Sequence, residues 1–208
     1  MWLFCILNII WLSGIVFGGA QINRLIERIK DNPIIAAIRK ANELEEALQS
    51  EVTTIFILNA DIFNVKGMVD KIKASEKSAL IHIDFVEGLG RDNKAVDYIA
   101  EIVKPDGIIS TRSNQIKYAK ELGLFTIQRF FLIDSMSYHT SIKLVQTVKP
   151  DMIEIMPGVI PGVISRIRNE VSIPVIAGGL IDTKQDIIEI LKAGALGAST
   201  GKTSLWTL

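Results

Sequence analysis

The feature that most limits what this chain can become is a regular alternation running from Asn32 to the C-terminus. Short apolar runs of strand length alternate with segments of helical periodicity, and Gly, Pro, Asn, Asp or Ser marks the joins. The runs read as strands at 33–38, 54–58, 79–85, 107–110, 124–130, 152–156, 174–177 and 195–200. Helices are expected over 42–48, from Asp61 or Asn64 past Ile72, and from Asp92 or Asn93 to Val103. Further helices are expected from Ser113-Asn114 to Gly123, from Asp134-Ser135 to Lys149, from 159 to 171, and from Asp182-Thr183 to Gly194. Strands this continuously apolar belong in a parallel sheet covered by helices. Eight such βα units is the number that closes a (β/α)8 TIM barrel, an α/β fold. A doubly wound sheet is the alternative. It calls for a Gly-rich turn after the first strand, where this chain has Arg39-Lys40-Ala41.

The 208 residues, 49% of them hydrophobic, suffice for one compact domain with a large core. Ahead of the alternation, Met1 to Asn23 holds no charged side chain, and Trp2 to Ala20 is almost wholly apolar. The chain therefore divides into an apolar extension, 1–23, and a barrel, 24–208. The extension has about the length of a membrane-spanning helix. Arg24, Arg28 and Lys30 behind it would keep the barrel on the cytoplasmic side. A cleaved signal peptide fits less well, for want of a basic n-region. A third reading starts the native protein near Gln21, with Met1 a mis-assigned start.

Charge and cysteine content exclude several classes. Lys plus Arg and Asp plus Glu both number 23, so no basic excess advertises nucleic acid. Cys5 stands alone, which rules out an intramolecular disulfide or a multi-cysteine cluster. His82 and His139 are the two histidines, too few to suggest zinc, and neither cofactor nor metal is expected.

In a barrel of this class, chemistry sits at the C-terminal ends of the strands. Those ends gather polar residues: Arg39, Asn59 and Asp61, then His82, Asp84 and Glu87-Gly88, then Ser110-Thr111, Gln128-Arg129, and Glu154 with Pro157-Gly158. Alternation along the third strand places His82 and Asp84 on the interior face. The same rule sends Gln128 inward with Thr126, and Arg129 outward with Phe125 and Ile127, although parity often fails at a strand's last residue. Glu154 lies between Met152 and Met156 on one face, and a carboxylate inside a barrel needs a partner or a ligand. Arg129 or Arg39 would supply a purely structural pair. The last two strands end in Gly178-Gly179 and Ser199-Thr200-Gly201, which offer clustered backbone N–H groups and hydroxyls. Loops at those two places hold the phosphate in many barrels of this kind. Plain tight turns are the simpler account of the same glycines.

Several motifs, in order, resemble one family. They are Pro33-Ile34-Ile35-Ala36-Ala37-Ile38, the run from His82 to Leu89, Asp106 to Thr111, Thr126 to Phe131, Ile153 to Gly158 and Ile176 to Ile181. Together they look like the glycerol-3-phosphate-responsive antiterminators, over about residue 26 to the end. The resemblance implies a TIM-barrel regulator that binds glycerol-3-phosphate and the leader mRNA of glycerol-utilisation genes. It implies Gly178, Gly179, Ser199 and Thr200 around the phosphate, and Asp84, Glu87 and Glu154 toward the glycerol hydroxyls. Gln128 joins that ligand set, and Arg39 or Arg129 would add positive charge. On this reading Arg91 and Lys94 form part of the RNA surface, in the loop that Gly88 and Gly90 loosen. Self-association is left open. The apolar extension and the Gly201-Lys202-Thr203-Ser204 segment both depart from the family pattern. The competing class is an isomerase or lyase acting on a small phosphorylated metabolite, with Glu154 or Asp84 as general base. A Schiff-base aldolase is disfavoured, because none of the strands contains a lysine.

Overall fold

The computed structural model describes residues 24–208, so the membrane-anchor, signal-peptide and start-site readings of the first 23 residues lie outside it. In chain order the strands are β1 (Ile34–Ile38), β2 (Thr54–Ile57), β3 (Ala60–Asp61), β4 (Ser78–His82), β5 (Val86–Glu87), β6 (Gly107–Ser110), β7 (Phe125–Phe131), β8 (Met152–Met156), β9 (Val175–Gly178) and β10 (Gly197–Thr200). Residues 24–31 form helix α1. The others are α2 (Ala41–Gln49), α3 (Val65–Ala74), α4 (Asn93–Tyr98), α5 (Ser113–Glu121), α6 (Ser135–Val148), α7 (Pro161–Glu170) and α8 (Lys184–Lys192). Eight strands close into a barrel in the order β1, β2, β4, β6, β7, β8, β9, β10, with every neighbouring pair parallel. The remaining two, β3 and β5, pair with each other as a small separate ribbon.

The apolar residues divide by strand parity into two layers. Ile35, Ala37, Phe56, Leu58, Leu80, Ile109, Phe125, Ile127, Met152 and Ile176 fill the barrel, joined by Leu25 and Ile29 of α1. Those two residues stand one helical turn apart and are 2% and 0% exposed, so α1 plugs the barrel with one apolar stripe. The opposite parity, with Ile55, Ile57, Ile81, Ile108 and Ala177 among it, packs on helix residues such as Val69, Ile72, Val96, Ile116 and Ile190. Side chains begin three of the helices as the sequence suggests. Asp92, Asp134 and Thr183 accept from the backbone N–H three residues on, at 3.1, 2.7 and 3.1 Å. Gly123 and Gly194 follow α5 and α8 with φ of +81° and +95°, a conformation that favours glycine.

Three local expectations need correction. The third barrel strand stops at His82, and Ile83–Phe85 turns as a 3-10 segment, so His82 and Asp84 do not share a face. The turn follows from Asp84, whose carboxylate is drawn to the end of β6 by Ser110 and Thr111. Along β7 it is Arg129 that points inward, with Phe125 and Ile127, as its ion pair to Glu154 shows. Gln128 and Thr126 point outward: Gln128 donates to Ser113 of α5 at 2.8 Å, and Thr126 donates to Asp151 at 2.7 Å. Near the C-terminus, Leu205 and Trp206 join the core. Trp206 is 1% exposed and its indole N–H donates to the Thr200 carbonyl at 2.9 Å. Among the described residues, no helix is long and apolar enough to cross a membrane.

Candidate functional site

The C-terminal mouth of the barrel is built from the inside outward. Glu154, on β8, is wholly buried and accepts from Arg129 Nε at 2.6 Å through one oxygen and from Ser199 Oγ at 2.5 Å through the other. Its carboxylate is thereby tied to the neighbouring strand β7 and, across β9, to β10. Gly178 lies between those last two ties. A Cβ there would stand 2.5 Å from Ser199 Oγ and closer still to Glu154 Oε1, so only glycine leaves the contact intact. Gly179 takes φ of +79°, and Leu180 after it takes φ of +62°, an uncommon conformation for a branched side chain.

Above this layer lies a cavity of about 340 Å³, within the range of small-molecule sites. Its lining includes Gly179, Ser199, Thr200, Arg39, Arg129 and Lys202. Three cations thus face it, against one carboxylate, Asp182. The Thr200 hydroxyl is already committed, donating to the Ile181 carbonyl at 2.8 Å and accepting from the Lys202 N–H at 3.0 Å. It shapes the final loop and presents Lys202 to the cavity. Lys202 has no place among the sequence candidates. The signal for it was a cation directly after the small residues that end the eighth strand.

The remaining candidates fall in four places. Arg39 also borders a second cavity of about 510 Å³, between α2, α3 and the β3–β5 ribbon, and Glu87 belongs to that one. Asp84 is engaged at the rim, accepting from Ser110 Oγ at 2.7 Å, from Thr111 N at 2.9 Å and Oγ1 at 2.7 Å, and from Arg112 at 3.4 Å. Burial opposes its ionisation, but the bonds from Ser110 and Thr111 outweigh that and hold the carboxyl below its ordinary range. Gln128 lies in the strand–helix layer, away from the cavity. Arg91 and Lys94 are exposed beside the loop that leads into α4, and Lys94 pairs with Asp97 at 2.8 Å. Among the described residues, no group of His, Cys, Asp and Glu is placed to hold a metal ion.

A (β/α)8 barrel with a small, predominantly cationic cavity over the loops of its last two strands is the class that fold and site define. The chain belongs to the glycerol-3-phosphate responsive antiterminator family, whose model matches residues 34–206. It is similar to the uncharacterized protein YgcP of Escherichia coli K12, with 36% identity over 184 residues, 88% of this chain and 96% of that one. A solved glycerol uptake operon antiterminator regulatory protein from Listeria monocytogenes superposes with a TM-score of 0.82 at 38% identity, over 84% of this chain and 95% of that one. A glycerol uptake operon antiterminator-related protein from Thermotoga maritima gives 0.75 at 32% identity, over 83% and 96%.

Proposed function

We propose that this protein is a cytoplasmic glycerol-3-phosphate sensor that acts as a transcription antiterminator on leader mRNA of glycerol-utilisation genes. The observation that carries the ligand half is the cavity at the mouth. Arg39, Arg129 and Lys202 converge there on the turn of Gly179 and the end of β10, and a phosphate dianion answers that charge. The phosphate would rest on the turn at Gly179, with Gly178 behind it, and against Ser199-Thr200, whose hydroxyls are already bonded to Glu154 and Ile181. The glycerol end would then point down the barrel, toward the layer held by Glu154. Glu154 acts through Arg129 and Ser199, both of its oxygens being taken, and Asp84 acts by fixing the neighbouring loop.

The RNA half is supported by family membership and by the rim. Arg91 and Lys94 supply charge there, and Phe63, Phe85 and Phe131 present half or more of their surface to solvent. Unpaired bases stack on such rings while cations take the backbone. Ligand and RNA affect each other's affinity by the same factor if the βα loops couple them. An enzyme on a phosphorylated metabolite is the second reading, favoured by the ionisable residues buried in the barrel: His82, Arg129 and Glu154.

Calorimetry with glycerol-3-phosphate, run beside an assay for its turnover, tests both. Saturable binding without consumption is expected. Gly179→Asp, a residue type that tolerates positive φ, and Lys202→Glu, on an exposed side chain, are each expected to abolish binding with the circular dichroism spectrum unchanged. Wild-type affinity in both variants refutes the phosphate position. For the RNA half, leader-RNA affinity at fixed salt is measured with and without the ligand. The same affinity under both conditions refutes the coupling, and an unaffected Arg91→Glu/Lys94→Glu variant refutes the surface.

A further inference from the structure

His82 stands at the C-terminal end of β4 and is 1% exposed. Neither of its ring nitrogens has a hydrogen-bond partner among the described residues. The buried glutamines differ: Gln115 and Gln128 each bond through one amide atom, to Ser110 at 3.0 Å and to Ser113 at 2.8 Å. Parity with Leu80, an interior residue, turns the imidazole into the barrel. The ring of Phe85, half exposed on the turn that follows β4, covers it from outside at 4.4 Å between centroids.

The charge state of this ring is settled by its surroundings. Burial opposes protonation most, Arg129 opposes it next, and Arg112 adds a smaller push. Asp84 and a weaker contact with the residue's own backbone work the other way, and the balance brings the pKa down to about 3. The imidazole is therefore neutral at physiological pH and carries one N–H donor and one lone-pair acceptor. An alcohol offers the complementary pair. Two orphaned polar atoms in an apolar barrel are unfavourable, and a phenylalanine would fill the same space without them. What makes the imidazole worth keeping is a partner that enters the barrel.

We infer that His82 reads the hydroxyl-bearing end of the phosphorylated ligand, one ring nitrogen accepting from a hydroxyl and the other donating to one. The inference rests on the ligand reading above and adds to it the group that selects a polyol phosphate over a plain alkyl phosphate. As the last residue of β4, His82 stands at the same C-terminal end of the barrel as the cavity, although it is not among the residues that line it. A site built to bond hydroxyls rejects analogues that lack them, because its own polar groups then stay unpaired.

The full chain is titrated by calorimetry with glycerol-3-phosphate and with propyl phosphate, which keeps the anion and the three-carbon chain but has no hydroxyls. Wild type is expected to prefer glycerol-3-phosphate by about tenfold or more, the worth of two modest hydrogen bonds. His82→Phe is expected to lose that preference and to keep propyl phosphate affinity within about twofold, since the phosphate end is untouched. It should also be at least as resistant to heat as wild type without ligand, which a merely structural histidine would not allow. The chain has two histidines, so ring ¹⁵N signals give a readout on the unmutated protein. Those of His82 should move with glycerol-3-phosphate and stay put with propyl phosphate. If His82→Phe does not fold, His82→Leu is put through the same pair of titrations. A preserved preference in a folded variant, or His82 signals indifferent to glycerol-3-phosphate, overturns the inference while leaving the ligand reading intact. Failure of wild type to bind either compound removes the ligand reading itself.

Discussion

Replacing Glu154 with leucine removes one half of a pair that is almost wholly buried. The Arg129 and Glu154 side chains are 5% and 0% exposed and meet at 2.6 Å, so solvent and salt screen the guanidinium left behind only weakly. Breaking a buried pair in this way costs about 3–5 kcal/mol. The Ser199 hydroxyl loses its acceptor at the same stroke, adding about 1 kcal/mol. In a chain of this size each kcal/mol lowers Tm by about 2–4 °C, so Glu154→Leu should melt roughly 10–20 °C below wild type. The companion variant, Glu154→Leu with Arg129→Met, removes both charges and fills the space with apolar atoms. It should recover most of the loss, because the attraction within such a pair little more than offsets its desolvation. Equilibrium urea unfolding of the three proteins, followed by circular dichroism and tryptophan fluorescence, gives the free energies. A loss below about 1 kcal/mol in the single variant refutes the reasoning, for it would mean Arg129 swings out to the mouth at little cost. So does a double variant no more stable than the single one.

Stability should fall with acid in two steps. The folded protein keeps His82 neutral to about pH 3, whereas the unfolded chain protonates it near its ordinary pKa of about 6.5. This contribution is complete above that value and is lost progressively as pH falls from 6.5 toward 3. Asp84 is held below its ordinary range, so its contribution is present above about pH 3.9 and is lost only below it. Tm measured against pH should therefore flatten between 6.5 and 4 in His82→Phe and only below about 4 in Asp84→Asn; the reverse assignment refutes both. Deleting residues 1–20 should leave a soluble protein that unfolds cooperatively. Extending the deletion through residue 31 removes Leu25 and Ile29 from the interior and should cost about 3–6 kcal/mol in urea unfolding. Trp206→Ala opens the strand–helix layer and frees the Thr200 carbonyl, for an expected loss of about 3–5 kcal/mol by the same measurement.

The eight βα units, their order and most helix starts were legible in the sequence because each depends on near neighbours. Asp134 caps α6 through a residue three positions away, and Gly194 ends α8 by its own φ. The glycine and hydroxyl clusters at the ends of the seventh and eighth strands were legible for the same reason. The strand count then set the closure, and closure set which end gathers the polar residues.

What the sequence alone could not decide was which face of a doubly buried strand looks inward. Both faces of β7 meet packed side chains, so parity groups Phe125 with Ile127 and Arg129 but carries no label for inside. The label came from the neighbouring strand, in the carboxylate of Glu154, and it sent Gln128 to Ser113 instead. The same holds for Asp84, claimed by β6 from twenty-six and twenty-seven residues away, and for Lys202, placed by the loop that Thr200 folds. Local chemistry in the sequence determined the elements and their count. Only the tertiary structure decided the partners of the buried charges, because burial removes water as a partner and leaves each charge to whatever the closed barrel brings beside it.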